Sequence, residues 1–265
     1  MTSPRATRAL LDAHGVSPNK RLGQHFLVDA NIIDRIVRIA DPRPGDLVVE
    51  VGAGTGALTA ALVGAGAEVV AFEVDERLAP ILRETVPDAD VRFEDVTTVD
   101  LDEYLARPAM MVANLPYNIG TRLILDVLRR HPIVTSMVVM VQREVADRLT
   151  ANPGGKDFGL PTVVSHLWGI PRLEFRVPPQ VFLPPPEVES AVVSIVRRVV
   201  HPDAGEAAAL AAVAFGQRRK TLRRSLRASF DDVVDILAAA DIDSNSRPEQ
   251  LEPEQWIHIV EASRD

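Results

Sequence analysis

Asn114, Leu115, Pro116 and Tyr117 stand in a row after the apolar run Met110–Ala113, where a buried strand would end and a loop begin. Their groups suit one kind of chemistry. The exocyclic amine of adenine is a poor nucleophile, because its lone pair is delocalised into the ring. Two acceptors at the amino hydrogens favour a pyramidal nitrogen, whose lone pair can then be aimed at an electrophilic carbon. The Asn114 side-chain oxygen could be one acceptor, and the main-chain carbonyl of Leu115 or of Pro116 the other. Pro116 fixes its own φ and restricts Leu115 before it, which holds the acceptor carbonyl still. Tyr117 offers a flat face on which an extruded base can stack. No strong general base is required, since the amine turns acidic once it has gained a carbon substituent. The same four residues would also make a plain proline-containing turn.

A second constellation lies upstream. Gly52, Gly54 and Gly56 fall within VVEVGAGTGALT, between an apolar run and a helical pattern. Glycine is needed where backbone turns sharply and a ligand must lie against it. Glu73 closes the next apolar run, 21 residues after Gly52. A doubly wound fold puts there the carboxylate that hydrogen-bonds ribose hydroxyls. The spacing identifies a nucleoside-type cofactor and satisfies the dinucleotide fingerprint as well, with Ala57 as the last small residue. Glu50 before the glycines, together with Asn114-Leu115-Pro116-Tyr117, tips the choice towards S-adenosylmethionine. Asp95, after the third run, is placed to accept from that cofactor's adenine amine.

The elements that must position these residues follow from periodicity. Asp46–Val51, Glu68–Glu73, Val91–Phe93, Met110–Asn114 and Ser136–Val141 read as strands; Ala57–Val63, Asp75–Thr85 and Thr121–Arg130 read as helices between them. Apolar strands separated by helices predict a parallel sheet covered on both faces. Arg172–Val177 and Ala191–Arg197 are too close for a crossover helix and predict an antiparallel edge pair. The fold class is therefore α/β, a class I methyltransferase Rossmann-like sheet. From His201 onward the pattern is helical throughout, predicting a small all-α domain. The boundaries read as 1–200 for the catalytic domain and 201–265 for the helical one.

Composition excludes several classes. There are no cysteines among 265 residues, which rules out disulfides, thiolate catalysis and cysteine-bound zinc. The six His show no metal-site spacing, so no metal is expected. The N-terminus lacks a signal-peptide core and no apolar run approaches bilayer length, so the reading is cytoplasmic, with no membrane partner. The net charge of −8 speaks against a nucleic-acid partner until its distribution is seen. Between Glu50 and Arg107 lie thirteen acids and four bases, leaving the remainder close to neutral. Within it, Arg218, Arg219, Lys220, Arg223, Arg224 and Arg227 crowd together. Lys220, Arg223, Arg224 and Arg227 recur at three- and four-residue spacing, which predicts one basic helical face that a polyanion could dock on. Such a run is also an ordinary solvated face.

RLGQHFLVD (Arg21–Asp29), VEVGAGTGALT, ANLPYNIGT (Ala113–Thr121), VFLPPPEVESAVV (Val181–Val193) and FGQRRKTLRRSL (Phe215–Leu226) occur in this order, and together the chain resembles the ribosomal RNA adenine N6,N6-dimethyltransferases, specifically their KsgA-type small-subunit branch. The resemblance runs from about Lys20 to Ser229. It implies two methyl transfers from S-adenosylmethionine to N6 of each of two adjacent adenines, in a hairpin near the 3′ end of 16S rRNA. The partner implied is an immature small ribosomal subunit, bound by a protein that is monomeric when free. By resemblance, His25 and Leu27 cover the cofactor, Gly52 contacts its methionine end with Gly54 beside it, Glu73 its ribose and Asp95 its adenine. Asn114 lies near the reactive methyl, and Phe182 faces Tyr117 across the target adenine. Many relatives carry Asn where this chain has His25. The FxxRRKTLRRSL segment would grip rRNA phosphates.

Three rival functions explain part of the pattern. A 23S rRNA adenine methyltransferase of the antibiotic-resistance type shares fold and chemistry. A NAD-dependent oxidoreductase accounts for the glycines and Glu73 but leaves Asn114–Tyr117 and the basic stretch unexplained. A non-catalytic assembly factor would have no need of intact Asn114 and Tyr117.

Overall fold

The computed structural model describes Ser3–Arg264. In chain order the elements are helix α1 (Pro4–Ala13), strand β1 (Phe26–Leu27), α2 (Ala30–Ala40), β2 (Leu47–Val51), α3 (Ala57–Gly64), β3 (Glu68–Phe72), α4 (Ala79–Thr85), β4 (Asp90–Arg92), α5 (Leu101–Tyr104), β5 (Ala109–Asn114), α6 (Gly120–Arg130) and β6 (Val134–Gln142). There follow α7 (Arg143–Leu149), α8 (Leu160–Trp168), β7 (Gly169–Val177), β8 (Phe182–Leu183), β9 (Ser190–Arg197), α9 (Ala204–Phe215), α10 (Leu222–Ser225), α11 (Val233–Ala239) and α12 (Pro253–Ala262).

The main sheet has the order β4-β3-β2-β5-β6-β9-β7. Neighbours from β4 to β6 run parallel, and β9 turns antiparallel to β6. This is the α/β sheet with an antiparallel edge that the apolar runs predict. Val48, Val112 and Val138 share one core cluster with Ile33 and Ile36 of α2 and Leu58 and Leu62 of α3. The alternate residues Val49, Met111 and Val139 are also fully buried. Successive strand side chains point to opposite faces, so both faces of the sheet are covered. A separate two-stranded ribbon pairs β1 with β8, antiparallel, Phe26 opposite Leu183 and Leu27 opposite Phe182.

The chain forms two compact units. One contains the residues up to Ala146 together with Arg172–Val196; the other contains Asp147–Pro171 and the residues from Arg197 onward. The sequence places the division at 200/201, and the structure adds Asp147–Pro171 to the helical unit. Packing supplies the reason: the Phe158 ring lies 6.2 Å from that of Phe215, which lies 6.1 Å from Trp256. Ser165 of α8, fully buried, donates to the Leu149 carbonyl at 2.8 Å within the same unit.

The basic stretch departs further from expectation. Arg218 and Arg219 lie in turns, only Leu222–Ser225 is helical, and Arg227 falls in a turn again. The Leu222 and Arg223 N–H groups donate to Ser246 and Ser244 carbonyls, at 2.8 and 3.1 Å, instead of to the preceding turn. A continuous helix is therefore interrupted, and the six cations do not share one helical face.

Candidate active site

All the residues that form the cleft belong to the first unit. Gly52 and Gly54, in the loop between β2 and α3, adopt φ of +80° and +58°. A methyl at Gly54 would meet the Phe26 ring at 3.1 Å, and one at Gly52 would meet Pro116 Cδ at 3.4 Å and the Asn114 carbonyl oxygen at 3.5 Å. The left-handed backbone disfavours a side chain at both positions, and at Gly54 the close approach of Phe26 adds to it. The glycine loop thus lies directly against the Asn114–Tyr117 loop.

Glu73 directly follows β3 and is almost wholly buried. Its Oε1 accepts from the Val74 and Asp75 N–H groups, each at 2.9 Å, and its Oε2 from Gly54 N–H at 2.9 Å. Burial raises its pKa, and these three N–H donors counter the shift. Oε1 is saturated by its two donors, and Oε2 keeps one further lone pair for a ligand hydroxyl. Glu50, in β2, is more deeply buried, and Oε2 has no hydrogen-bond partner among the described residues. Desolvation pushes its pKa up to about 8, with the neighbouring Thr59 hydroxyl opposing the rise and the Glu73 charge adding to it. Asp95 commits Oδ1 to the Thr97 N–H and hydroxyl, at 2.9 and 2.7 Å. Among the described residues no hydrogen bond engages its Oδ2.

Asn114 ends β5. Its Nδ2 donates to the His25 carbonyl at 3.2 Å, and since a carbonyl only accepts, the amide orientation is fixed. The side-chain oxygen has no donor among the described residues. Of the two candidate carbonyls, that of Pro116 accepts from both Ile119 and Gly120 N–H groups, each at 3.2 Å, at the start of α6. The Leu115 carbonyl receives no hydrogen bond among the described residues, while its N–H is held by the Met140 carbonyl at 3.0 Å. The alternatives left open by the sequence therefore narrow to Leu115. The Tyr117 hydroxyl and the Ser190 hydroxyl are 2.5 Å apart, and burial raises the Tyr117 pKa.

One cleft is lined by His25, Leu27, Gly52, Gly54, Glu73, Asp95, Asn114, Leu115, Pro116 and Tyr117. Phe182 is not brought to it. The Phe182 side chain is 2% exposed and belongs to the hydrophobic core. The ring stacked on Tyr117 is that of His25, with centroids 5.3 Å apart and planes 27° from parallel. Among the lining residues that escaped sequence reasoning are Val74 and Gln24. Val74 is half-exposed in the cleft, an apolar side chain wedged between Glu73 and Asp75, and that pattern beyond a strand was its available signal. Gln24 donates to Asp75 at 2.8 Å and anchors the segment before β1, with no sequence cue.

Glu50, Glu73, Glu94 and Asp95 all line the cleft, and no Lys or Arg is among the described lining residues. Such walls suit a cation better than a pyrophosphate. In the second unit, Arg218, Arg219, Lys220, Arg223, Arg224 and Arg227 are all exposed. Arg218 is engaged, by Glu249 at 3.9 Å and the Lys156 carbonyl at 2.9 Å. The other five make no ion pair among the described residues. Across the described residues, no helix is long and apolar enough to cross a membrane.

Residues 15–265 match the family model described as ribosomal RNA adenine dimethylase. The chain is 42% identical to a ribosomal RNA small subunit methyltransferase A of Leifsonia xyli subsp. xyli, covering 98% of each chain. It is also 42% identical to the protein of the same name from Phenylobacterium zucineum, over 96% of this chain and 91% of that one. A solved dimethyladenosine transferase from Plasmodium falciparum superposes with a TM-score of 0.76 at 23% identity, covering 89% of this chain and 96% of that one. The 23S rRNA methyltransferase ErmE superposes with a TM-score of 0.72 at 25% identity, covering 91% and 100%.

Proposed function

The chain belongs to the ribosomal RNA adenine dimethylase family, and on that premise we propose that its cleft methylates N6 of adenine in small-subunit rRNA with S-adenosylmethionine as donor. The observation that carries this reading is the amide of Asn114. Held through Nδ2 by the His25 carbonyl, it presents Oδ1 as an acceptor beside the equally unengaged Leu115 carbonyl. Together they take the two amino hydrogens of an extruded adenine and favour the pyramidal, nucleophilic nitrogen. Tyr117 supports the base from one face.

S-adenosylmethionine supplies a methyl group on a sulfonium cation. The carboxylate-rich, Lys- and Arg-free cleft fits that cation, and the bare backbone at Gly52 and Gly54 admits its close approach. Glu73 offers the spare lone pair of Oε2 to a ribose hydroxyl, Asp95 its Oδ2 to the adenine amine, and Val74 and Leu27 give apolar cover. The same features weigh against a NAD-dependent oxidoreductase. Once the target nitrogen carries a methyl it is cationic and gives up its proton without a dedicated base. A second transfer then yields N6,N6-dimethyladenosine.

The substrate we propose is the pair of adjacent adenines in a hairpin near the 3′ end of 16S rRNA, within an immature small subunit in the cytoplasm, met by a monomeric enzyme. Arg219, Lys220, Arg223, Arg224 and Arg227, exposed and unpaired, would hold RNA phosphates, with Arg218 contributing less because it is already engaged. The small-subunit names of the most similar sequences favour this substrate over the 23S alternative.

Mass spectrometry of rRNA from a strain lacking this enzyme tests the reading. Two dimethyladenosines should disappear from 16S rRNA and return when purified enzyme and labelled S-adenosylmethionine are added. Asn114→Ala should lower kcat by about a hundredfold or more. An unchanged 16S rRNA, or a loss confined to 23S rRNA, would refute it.

A further inference from the structure

We propose that Lys156 is a further contact to rRNA phosphate, and that Arg218 is the positioning residue that sets it beside the basic stretch. The inference rests on the rRNA-methylating reading. It extends the RNA surface to a second segment of the helical unit and gives Arg218 a role that does not require it to touch RNA.

Two segments distant in the chain are fastened together at several points. The Phe158 ring, fully buried, lies 6.2 Å from that of Phe215. Just before Phe158, the Lys156 carbonyl accepts from Arg218 Nη2 at 2.9 Å, just beyond Phe215. Gly154 N–H donates to the Glu249 carbonyl at 2.6 Å. The loop between α7 and α8 is also closed on itself. Gly155 N–H donates to the Asn152 carbonyl at 3.1 Å, and Phe158 N–H to the Gly155 carbonyl at 3.2 Å. Gly154 has a φ of +78°, and a methyl at Gly155 would lie 2.9 Å from the Asn152 carbonyl oxygen. Both glycines are therefore needed for this turn. A loop tied in this way holds Lys156 in one place before RNA arrives, which lowers the ordering cost of a contact.

The distribution of charge points the same way. Lys156 is exposed and, among the described residues, makes no ion pair, whereas Glu249 faces Arg218 with Oε2 3.9 Å from Nε. An opposite charge at that distance screens the Glu249 carboxylate from an approaching polyanion. Arg218 thus commits its charge to Glu249 and a donor to Lys156. Without it, a bare carboxylate would face the phosphates and the Lys156 carbonyl would lose its anchor. Arg219 and Lys220 follow Arg218 directly and are exposed, so the clamp joins a cation from another part of the chain to the basic stretch. An ammonium is a point charge suited to a phosphate oxygen, a contact that positions RNA without reading its bases.

The chain has no cysteine, so Lys156→Cys in the full-length enzyme places a single thiol for an aryl azide cross-linker. On small subunits from a strain lacking the enzyme, light should join position 156 to 16S rRNA. A label on ribosomal protein, or no label, overturns the proposal. Binding to the same subunits across a salt series gives the second readout. Lys156→Ala should lower the slope of log affinity against log salt by about 0.7–0.9, the share of one phosphate, with melting temperature and S-adenosylmethionine affinity unaltered. Arg218→Ala should lower it by about as much, and the two changes combined by no more than either alone, because both remove one contact. An unchanged slope for Lys156→Ala removes the contact, and losses that add in the double variant make Arg218 a phosphate contact in its own right. Either result overturns the proposal. Should Arg218→Ala fail to fold, Lys156→Ala and the cross-link decide the matter. Failure of the wild-type enzyme to methylate 16S adenine would refute the underlying function instead, a result read before any variant is made.

Discussion

The Gly54 N–H donates to Glu73 Oε2 at 2.9 Å, joining the glycine loop after β2 to the carboxylate just beyond β3. The two halves of the cofactor constellation, separated by 19 positions in the chain, are thus one hydrogen-bonded unit before any ligand arrives. Replacing Glu73 by Gln retains the shape but sets an NH2 against backbone N–H donors. At least one of the three buried donors then loses its acceptor, costing about 1–3 kcal/mol. The melting temperature of Glu73→Gln should fall, and affinity for S-adenosylmethionine measured by calorimetry should drop tenfold or more. An unaltered dissociation constant would remove Glu73 from the cofactor site.

Glu50 gives a dependence on pH whose sign can be worked out. Its pKa is raised from 4.5 to about 8 in the folded protein. Between those values the folded chain keeps a proton that the unfolded chain has released. Stability therefore falls as pH rises from about 4.5 to about 8, by up to about 1.4 kcal/mol per pH unit, and levels off above. The raised pKa of Glu73 acts in the same direction. Without cofactor, Glu50→Gln should melt at a higher temperature than wild type at pH 8 and show a shallower decline from pH 5. Parallel melting curves for the two proteins across that range would contradict a buried, protonated Glu50.

The strands and both chemical loops were legible in the sequence because they rest on local rules. Val48, Val49, Met111 and Val112 are buried on both faces and so form uninterrupted apolar runs, and Gly52 and Gly54 mark a turn no other residue could make. What escaped depends on partners distant in the chain. The spacing of Lys220, Arg223, Arg224 and Arg227 fits a helix, but Ser244 and Ser246 take the N–H groups a helix would use. The segment around Phe158 joins the helical unit through Phe215, 57 positions later. A motif likewise cannot say which of two rings reaches the cleft: Phe182 is turned into the core by ribbon pairing that only the fold reveals.

Exposed cations without partners are free to release counterions on meeting RNA. Reversal of both Arg223 and Arg224 to Glu should weaken subunit binding and reduce the slope of log affinity against log salt by about 1.5–2, the share of two phosphate contacts. Folding should be little affected, since neither side chain makes an ion pair. Arg218→Glu should behave differently, with a smaller change in slope and a lower melting temperature, because it sets a carboxylate beside Glu249. Filter binding across a salt series separates the two patterns. Equal slopes for wild type and the Arg223, Arg224 double variant would dismiss the patch as an RNA contact.

Gly52 couples the two ligand loops through space. A methyl at this position faces Pro116 Cδ at 3.4 Å and the Asn114 carbonyl oxygen at 3.5 Å, contacts that are ordinary in length, yet φ is +80°. The cost is therefore carried by the backbone, about 1–2 kcal/mol for a left-handed alanine. Relief of that strain requires the glycine loop to shift, and its neighbours across the gap are the residues that would hold the target amine. Gly52→Ala should consequently impair more than cofactor affinity: kcat at saturating S-adenosylmethionine should fall at least tenfold, while KM for the subunit stays near wild type because the Tyr117 ring is untouched. A rise in the cofactor's dissociation constant with kcat fully retained at saturation would mean that the two loops act independently, and that contact between Gly52 and Pro116 has no bearing on how the amine is aimed.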